Sequence, residues 1–368
     1  MDRRTLSVAI LGSRGIPNRY GGFEACAEEL GTRLAMRGHR VVVYTMKDHP
    51  VKEQYWQGVK RVMKPNPERI FGSFGQFIYD FHCNRHTRKE DTDIILHLGY
   101  TSDSIWYWLW KKKTVHMVNM DGQEWRRKKY NRPVRAFLRY AERLATLRSQ
   151  WLVADSKEIE SYLLRKYPLP VRYIPYGAIV PESFSPGESN NQGLAPHQYD
   201  LIIARMEPEN NIQMAIEAKL RSQNTEPLVI VSNENAYKRF LKKKYEGQEL
   251  IKFADAIYDQ EKINSLRHFS RIYVHGHSVG GTNPSLLEAM ACGCRIVSHR
   301  NPFNEYVLGE DAYYYSDQPD LTALFNDFNE TNYAGFVAQN LGKIRKEYNW
   351  DAVTDAYEKL FLDAVGIA

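Results

Sequence analysis

The chain predicts a parallel α/β protein made of two Rossmann-like, doubly wound halves. Three observations carry that reading. Short apolar runs alternate with amphipathic helical patterns along most of the length, the signature of a sheet with helical crossovers. The rhythm breaks at Val180–His197 (VPESFSPGESNNQGLAPH), a stretch rich in Pro, Gly, Ser and Asn, and then restarts. The 368 residues, 43% of them hydrophobic, exceed one typical domain and can bury a large core. The expected borders are residues 1–180 for the first domain, 181–198 for a linker, 199–346 for the second domain and 347–368 for a closing helix.

In the first half, strands are expected at Ser7–Leu11, Arg40–Tyr44, Asp93–Leu98, Val115–Asn119, Trp151–Ala154 and Arg172–Ile174. A helix is expected between the first two, from about Gly22 to Arg37. Its apolar face is Phe23, Ala27, Leu30 and Leu34, and Gly38 closes it. In the second half, strands are expected at Leu201–Ala204, Pro227–Val231, Ile251–Ala254, Ile272–His275 and Arg295–Ser298. No apolar run reaches the roughly eighteen residues of a membrane span. The N-terminal apolar run is too short for a signal peptide and reads as the first strand. Cys26, Cys83, Cys292 and Cys294 lack metal-ligand spacing and read as reduced core residues of a cytoplasmic protein.

The richest stretch is HGHSVGGTNPSLLEAMACGCRIVSH, His275–His299. It reads as a strand end, a glycine-rich loop, an amphipathic helix and the next strand. Gly280 and Gly281 permit a sharp turn and close backbone approach. Thr282 or Asn283 can cap the helix, and Pro284 suits its first turn. Such a helix start offers free N–H groups and a positive dipole end, both suited to phosphate. Leu286, Leu287, Met290 and Ala291 face a core, which leaves Glu288 buried by pattern and in need of a partner. A ribose diol is one candidate; the alternative is a surface Glu beside an ordinary turn.

This segment resembles the donor-nucleotide motif of family 4 glycosyltransferases, retaining enzymes of the GT-B fold. That motif has a pair of glutamates, the second followed by Ala-Met-Ala-hydrophobic-Gly. Glu288 and Ala289–Gly293 match its second half, whereas Gly280 stands at the first glutamate. GGTNPSLLEA is similar to a subgroup of bacterial polysaccharide-assembly enzymes, several of them rhamnosyltransferases. IPYGA (Ile174–Ala178), VADSKEIESYL (Val153–Leu163) and the tail YNWDAVTDAYEKLF also resemble family segments. In IIARMEPENN, Arg205 occupies the position of the family's diphosphate-binding Arg, and Asn210 replaces its Lys. The resemblance implies two Rossmann-like domains facing a cleft, and donor contacts from Arg205, Asn210, Gly280, Gly281, Thr282 and Glu288. The donor it implies is a nucleotide sugar, dTDP-rhamnose first and a UDP-hexose second. The acceptor it implies is a glycan or a diphospholipid-linked acceptor, expected at the inner face of the cytoplasmic membrane. A sugar-nucleotide epimerase and a non-catalytic nucleotide-sugar-binding protein are the alternatives.

The loop LGSRGIPNRYGGFE (Leu11–Glu24) also follows a strand and opens a helix. Its glycines, Gly12, Gly15, Gly21 and Gly22, do not spell G-x-G-x-x-G, and the second strand ends without the acid that grips an NAD ribose. In family terms it resembles a mobile loop over the cleft, from which Arg14 or Arg19 could reach phosphate; both could equally be solvated. Asp121, at the end of the Val115–Asn119 strand, faces the cleft side of an open sheet. There it could take an acceptor proton, bond the donor sugar, or simply form an Asp-Gly turn. Metal is not expected: Asp91-Thr-Asp93 lies at a strand entrance, and His275 and His277 suit sugar or phosphate better than zinc. No other cofactor is expected, so cations and backbone N–H groups must stabilise the leaving diphosphate.

From Arg126 to Arg148 there are nine basic residues and one acid, Glu142. Arg132, Arg135, Arg139 and Arg143 share a helix face, and SIWYWLWKKK (Ser104–Lys113) adds aromatics and lysines upstream. Aromatics with cations suit a headgroup surface, and a solvated face is the plain alternative. No nucleic-acid-binding motif accompanies them.

Overall fold

The computed structural model describes residues 5–127, 130–186, 194–327 and 333–366. Part of the expected linker (187–193), with Lys128 and Lys129 of the basic run, lies outside the described residues. The chain forms two compact units. One holds residues up to 126, 130–176 and those from 350 on; the other holds 127–129 and 177–349.

The first unit is built on an eight-stranded sheet. Its strands are β1 (Ser7–Leu11), β2 (Arg40–Met46), β3 (Tyr55–Trp56), β4 (Val59–Lys64), β5 (Ile94–Leu98), β6 (Val115–Asn119), β7 (Trp151–Ala154) and β8 (Val171–Tyr173). The order is β3-β4-β2-β1-β5-β6-β7-β8. Every described pairing is parallel except the β3–β4 hairpin. β1 and β5 are buried almost throughout, as strands covered on both faces must be, and this explains their unbroken apolar runs. The hairpin was not legible in the sequence. Its Gln57-Gly58 turn has φ of 43 and 84, the left-handed pair of a tight hairpin, but Lys60, Arg61 and Lys64 mask the strand pattern.

The first helix, Gly22–Met36, buries Cys26, Ala27, Leu30 and Leu34. The helix Trp350–Ala364 packs on it through Arg33–Asp351 at 2.9 Å and Arg37–Glu358 at 2.6 Å. The entrance carboxylate Asp93 accepts the Ser7 N–H at 2.8 Å, so it ties β1 to β5 rather than standing solvated.

The second unit has a six-stranded parallel sheet. Its strands are β9 (Asp200–Ile203), β10 (Leu228–Ser232), β11 (Ile251–Asp255), β12 (Ile272–His275), β13 (Ile296–His299) and β14 (Tyr313–Tyr315), in the order β11-β10-β9-β12-β13-β14. Ile202, Ile216, Leu228, Ile230, Val274, Val297 and Phe325 form its core. At the N-terminal end of β9, the buried Asp200 carboxylate is held by Lys219 at 2.7 Å and Arg271 at 2.8 Å. The four cysteines are free and buried.

Candidate active site

In the second unit the candidate residues sit on the loops after β9 and β12, which are neighbours in the sheet. The C-terminal edge of a parallel sheet is where open α/β folds bind ligands. Gly276 lets the two loops meet: a Cβ there would stand 2.2 Å from the Asn210 carbonyl oxygen. Asn211, with φ 52, donates from Nδ2 to the Gly276 carbonyl at 2.9 Å. The Ser278 N–H and hydroxyl both donate to the Glu209 carbonyl, at 3.1 and 2.7 Å. These bonds fix the path of the chain into Gly280, whose φ of 130 suits glycine although the space beside it is open.

That fastening uses up Asn210. It is buried, and its Nδ2 donates to the Arg205 carbonyl at 2.8 Å, so it shapes the turn. Arg205 itself is exposed and has no ion pair among the described residues. It lies close enough to His277 to act on that ring's charge. His277 is partly buried, and burial first, then His275, Arg205 and Arg127, holds its pKa well below the ordinary value.

His275 is not exposed as a surface ligand-binding ring would be, and neither ring nitrogen has a hydrogen-bond partner among the described residues. At 1% exposure it is inside the fold, stacked on His277 at 4.5 Å, because it lies on the same strand face as Tyr273. Burial, then the charge of His299, pushes its pKa down to about 3, so the ring is neutral. Asn283, not Thr282, caps the helix Pro284–Ala291, its side chain accepting the Ser285 N–H at 2.9 Å. Thr282 is buried beside it, and Gly281 is half-buried.

Glu288 departs from the expectation of burial. Its side chain is 35% exposed and pairs with Arg267, itself only 2% exposed. The helix turns this residue toward the helix Gln260–His268, where the buried guanidinium needs a counter-charge. Burial works against the Arg267 charge, and Glu288 outweighs it. One residue of this unit was missed altogether. Glu209 is buried, its carboxylate accepts no hydrogen bond among the described residues, and Arg127 lies 3.6 Å away. An acid in a polar turn reads as solvated, and the turn alone does not tell that the fold brings Arg127 beside it.

In the first unit the loop after β1 is held tightly. At Gly12 (φ 88) a Cβ would meet the Leu98 carbonyl oxygen at 2.1 Å, and at Gly15 (φ 116) it would meet Thr45 at 2.3 Å. Gly21 caps the first helix in extended backbone and Gly22 opens it. Glu24, in the first turn, is buried and accepts the Arg14 N–H at 2.7 Å; burial raises its pKa. The Arg14 guanidinium is already engaged, donating to Glu68 at 2.8 Å and lying 3.7 Å from the Tyr20 ring centre. Arg19 is exposed. Arg14, Arg19, Tyr20, His49, Glu68 and Arg69 line a cavity of about 350 Å³ at this edge.

Asp121 follows β6 in left-handed backbone, φ 47, with its N–H bonded to the Asn119 side chain at 3.0 Å. Register places Asn119 opposite Val153, so Asp121 and the buried Asp155 end adjacent strands two steps further on. Burial, then the Asp121 charge, raises the Asp155 pKa well above the ordinary value. Asp155 escaped the sequence reading because it precedes Ser156, whose capping of the next helix accounts for the local polarity.

The basic face is only partly free. Arg132, Arg139 and Arg143 are exposed, but Arg139 lies over Trp125 at 4.5 Å, and Arg135 is half-buried and donates to the Arg126 carbonyl. Trp125 donates to the buried Glu142 at 2.9 Å, which makes it an anchor of this face. Trp110 is buried against His97, with ring centres 4.2 Å apart, whereas Trp108 is 51% exposed. Three exposed apolar residues that the sequence did not flag, Ile70, Phe71 and Phe74, belong to the same unit. Among the described residues no cluster of His, Cys, Asp or Glu is placed to hold a metal ion.

Residues 193–330 match the family model "Glycosyl transferases group 1", and residues 5–179 match a domain of unknown function, DUF1972. No curated protein matches the chain. Solved structures share the fold. Sucrose-phosphate synthase from Thermosynechococcus elongatus is 15% identical with a TM-score of 0.77, covering 98% of this chain and 99% of its own. HepE of Anabaena, in complex with UDP, is 13% identical with a TM-score of 0.76, covering 97% of this chain and 100% of its own. A UDP-forming trehalose-phosphate synthase from Burkholderia vietnamiensis is 10% identical with a TM-score of 0.75, covering 99% and 98%. The architecture is GT-B.

Proposed function

We propose that this glycosyltransferase, with its group 1 domain at residues 193–330, is a retaining, metal-independent enzyme of cell-surface polysaccharide assembly. It moves a sugar from a nucleotide donor to a glycan or diphospholipid-linked acceptor. The observation that carries the donor side is Arg205, an exposed cation beside a fixed glycine loop that leads into a helix start. That combination suits a leaving diphosphate without a metal ion. Glu288 keeps part of its carboxylate accessible for the ribose while anchoring Arg267. Asp121, just past the C-terminal end of β6 and in strained backbone, takes the acceptor hydroxyl's proton.

The GGTNPSLLEA segment favours dTDP-rhamnose as donor. A UDP-hexose is the second reading, favoured by structural neighbours solved with UDP and UDP-glucose. No helix among the described residues is long and apolar enough to cross a membrane. We place the enzyme peripherally on the inner face of the cytoplasmic membrane. Exposed Trp108 and Tyr140 and the exposed Arg132 and Arg143 support that placement, each cation contributing about 1 kcal/mol near an anionic surface.

Turnover tests the reading. With donor, lipid-linked acceptor and EDTA, the wild-type enzyme transfers sugar, and Asp121→Asn abolishes transfer while keeping nucleotide affinity. Donor interconversion without acceptor would point to an epimerase. Recovery of activity only on adding Mg or Mn would contradict the metal-free mechanism.

A further inference from the structure

The loop that leads into the helix Pro284–Ala291 has little of its own to hold it still. Gly280 and Gly281 are consecutive, and Gly280 has φ 130 with open space beside it. Glycine loses more conformational freedom on ordering than any other residue, so what fixes this loop must come from elsewhere in the fold. On the β9 side, Asn211 donates to the Gly276 carbonyl and Ser278 donates to the Glu209 carbonyl.

On the other side the hold comes from two asparagines just after β13. The backbone register pairs His275 with Ser298 and ends there. Past that point Asn304, 3% exposed, donates from Nδ2 to the His277 carbonyl at 3.1 Å and to the His299 carbonyl at 2.8 Å. Asn301 donates to the same two carbonyls, at 3.0 and 3.1 Å. A carbonyl oxygen has two lone pairs, so each of these oxygens meets two amide donors and is fully engaged. The Asn301 Oδ1 accepts the Phe303 and Asn304 N–H groups, both at 3.1 Å, which fixes the sense of its amide and caps the helix Pro302–Leu308. Side-chain amides thus carry the link between β12 and β13 beyond the end of the backbone ladder.

We propose that Asn301 and Asn304 are positioning residues of the donor site. Without touching the nucleotide sugar, they hold the loop from His277 to Thr282 in the shape that receives the diphosphate. The assignment rests on the donor reading of that loop. A loop held in place before the ligand arrives saves the ordering cost that a slack pair of glycines would take from binding.

Asn301→Asp is the decisive variant, because it keeps the capping oxygen and removes both amide donors. Asn304→Ala removes the other two bonds, and Asn301→Asp decides alone if that protein does not fold. Each full-length protein is titrated with UDP and with dTDP by calorimetry, its melting curve is recorded, and hydrogen exchange is followed in the peptide covering residues 276–283. Asn301→Asp should melt close to wild type. Both variants should bind nucleotide about tenfold more weakly and exchange this peptide about tenfold faster, the scale of one or two lost hydrogen bonds. Wild-type nucleotide affinity in folded Asn301→Asp, or unchanged exchange of the loop, overturns the assignment. If wild type binds neither nucleotide while the variants still exchange the loop faster, the donor reading falls and this role falls with it, leaving the two asparagines as fasteners of the fold.

Discussion

Strand β9 begins with one charged residue and is followed by another, and the fold treats them differently. Asp200 opens the strand fully buried, with its two oxygens held by Lys219 and Arg271. Arg205, just past the other end, is exposed and has no ion pair among the described residues. One end of the sheet spends its charges on cohesion, and the other leaves a cation available to a ligand. In open α/β folds ligands bind at the C-terminal edge of the sheet, and the proposed reading gives two charged residues five positions apart different work on that ground.

The largest effect belongs to the cohesive end. Asp200→Ala leaves Lys219 buried without its counter-ion, and breaking a buried pair costs about 3–5 kcal/mol. Urea unfolding should show that loss; a change under about 1 kcal/mol would mean that water reaches the site.

Glu288 sharpens the comparison because it pairs with Arg267 and the proposed reading also gives it the donor. Glu288→Ala strands Arg267, so reduced donor binding in that variant would be confounded with unfolding. Glu288→Gln keeps the shape and a hydrogen-bonding oxygen. It should still melt cooperatively while donor affinity falls by about 1.5–3 kcal/mol, the range for hydrogen bonds to charged groups. Unchanged affinity in the folded Gln variant would leave Glu288 with the Arg267 pairing alone.

A smaller effect concerns acid. His275 and His116 are buried, with pKa values pushed down to about 3 and about 2 from an ordinary 6.5, burial being the first cause for both. The unfolded chain therefore takes up protons below pH 6.5 that the folded rings refuse until pH about 3. Stability contributed by the neutral rings is present above that window and lost as pH falls through it. Melting temperature should decline from pH 6.5 toward 4, and His275→Phe should flatten the decline. An equal decline in that variant would move the effect to other groups.

Much of this was legible in the residues. The strands buried on both faces announced themselves as apolar runs, and the helix Gly22–Met36 by its periodicity. The candidate loops could be named from glycines at strand ends. β3, β4 and β14 were not legible: two of these strands are only two or three residues long, and β4 carries charges along its length. Partner choice was also hidden. Nothing local tells that Arg14 is taken by Glu68, or that Glu288 faces a buried Arg267. Those pairings join residues through tertiary packing, and a helix pattern fixes a face without naming what lies opposite. Asp155 was hidden differently, by its place next to a capping serine.

The donor claim rests on Arg205, and one titration tests it most directly. UDP, UDP-glucose and dTDP-rhamnose are titrated into wild type and Arg205→Ala, with melting curves recorded for both proteins. Loss of a charge-assisted contact to diphosphate predicts a drop in affinity of about tenfold to a hundredfold, and removal of an exposed side chain predicts a melting temperature that barely moves. Equal affinity in both proteins would contradict the account, because the diphosphate would then be held elsewhere.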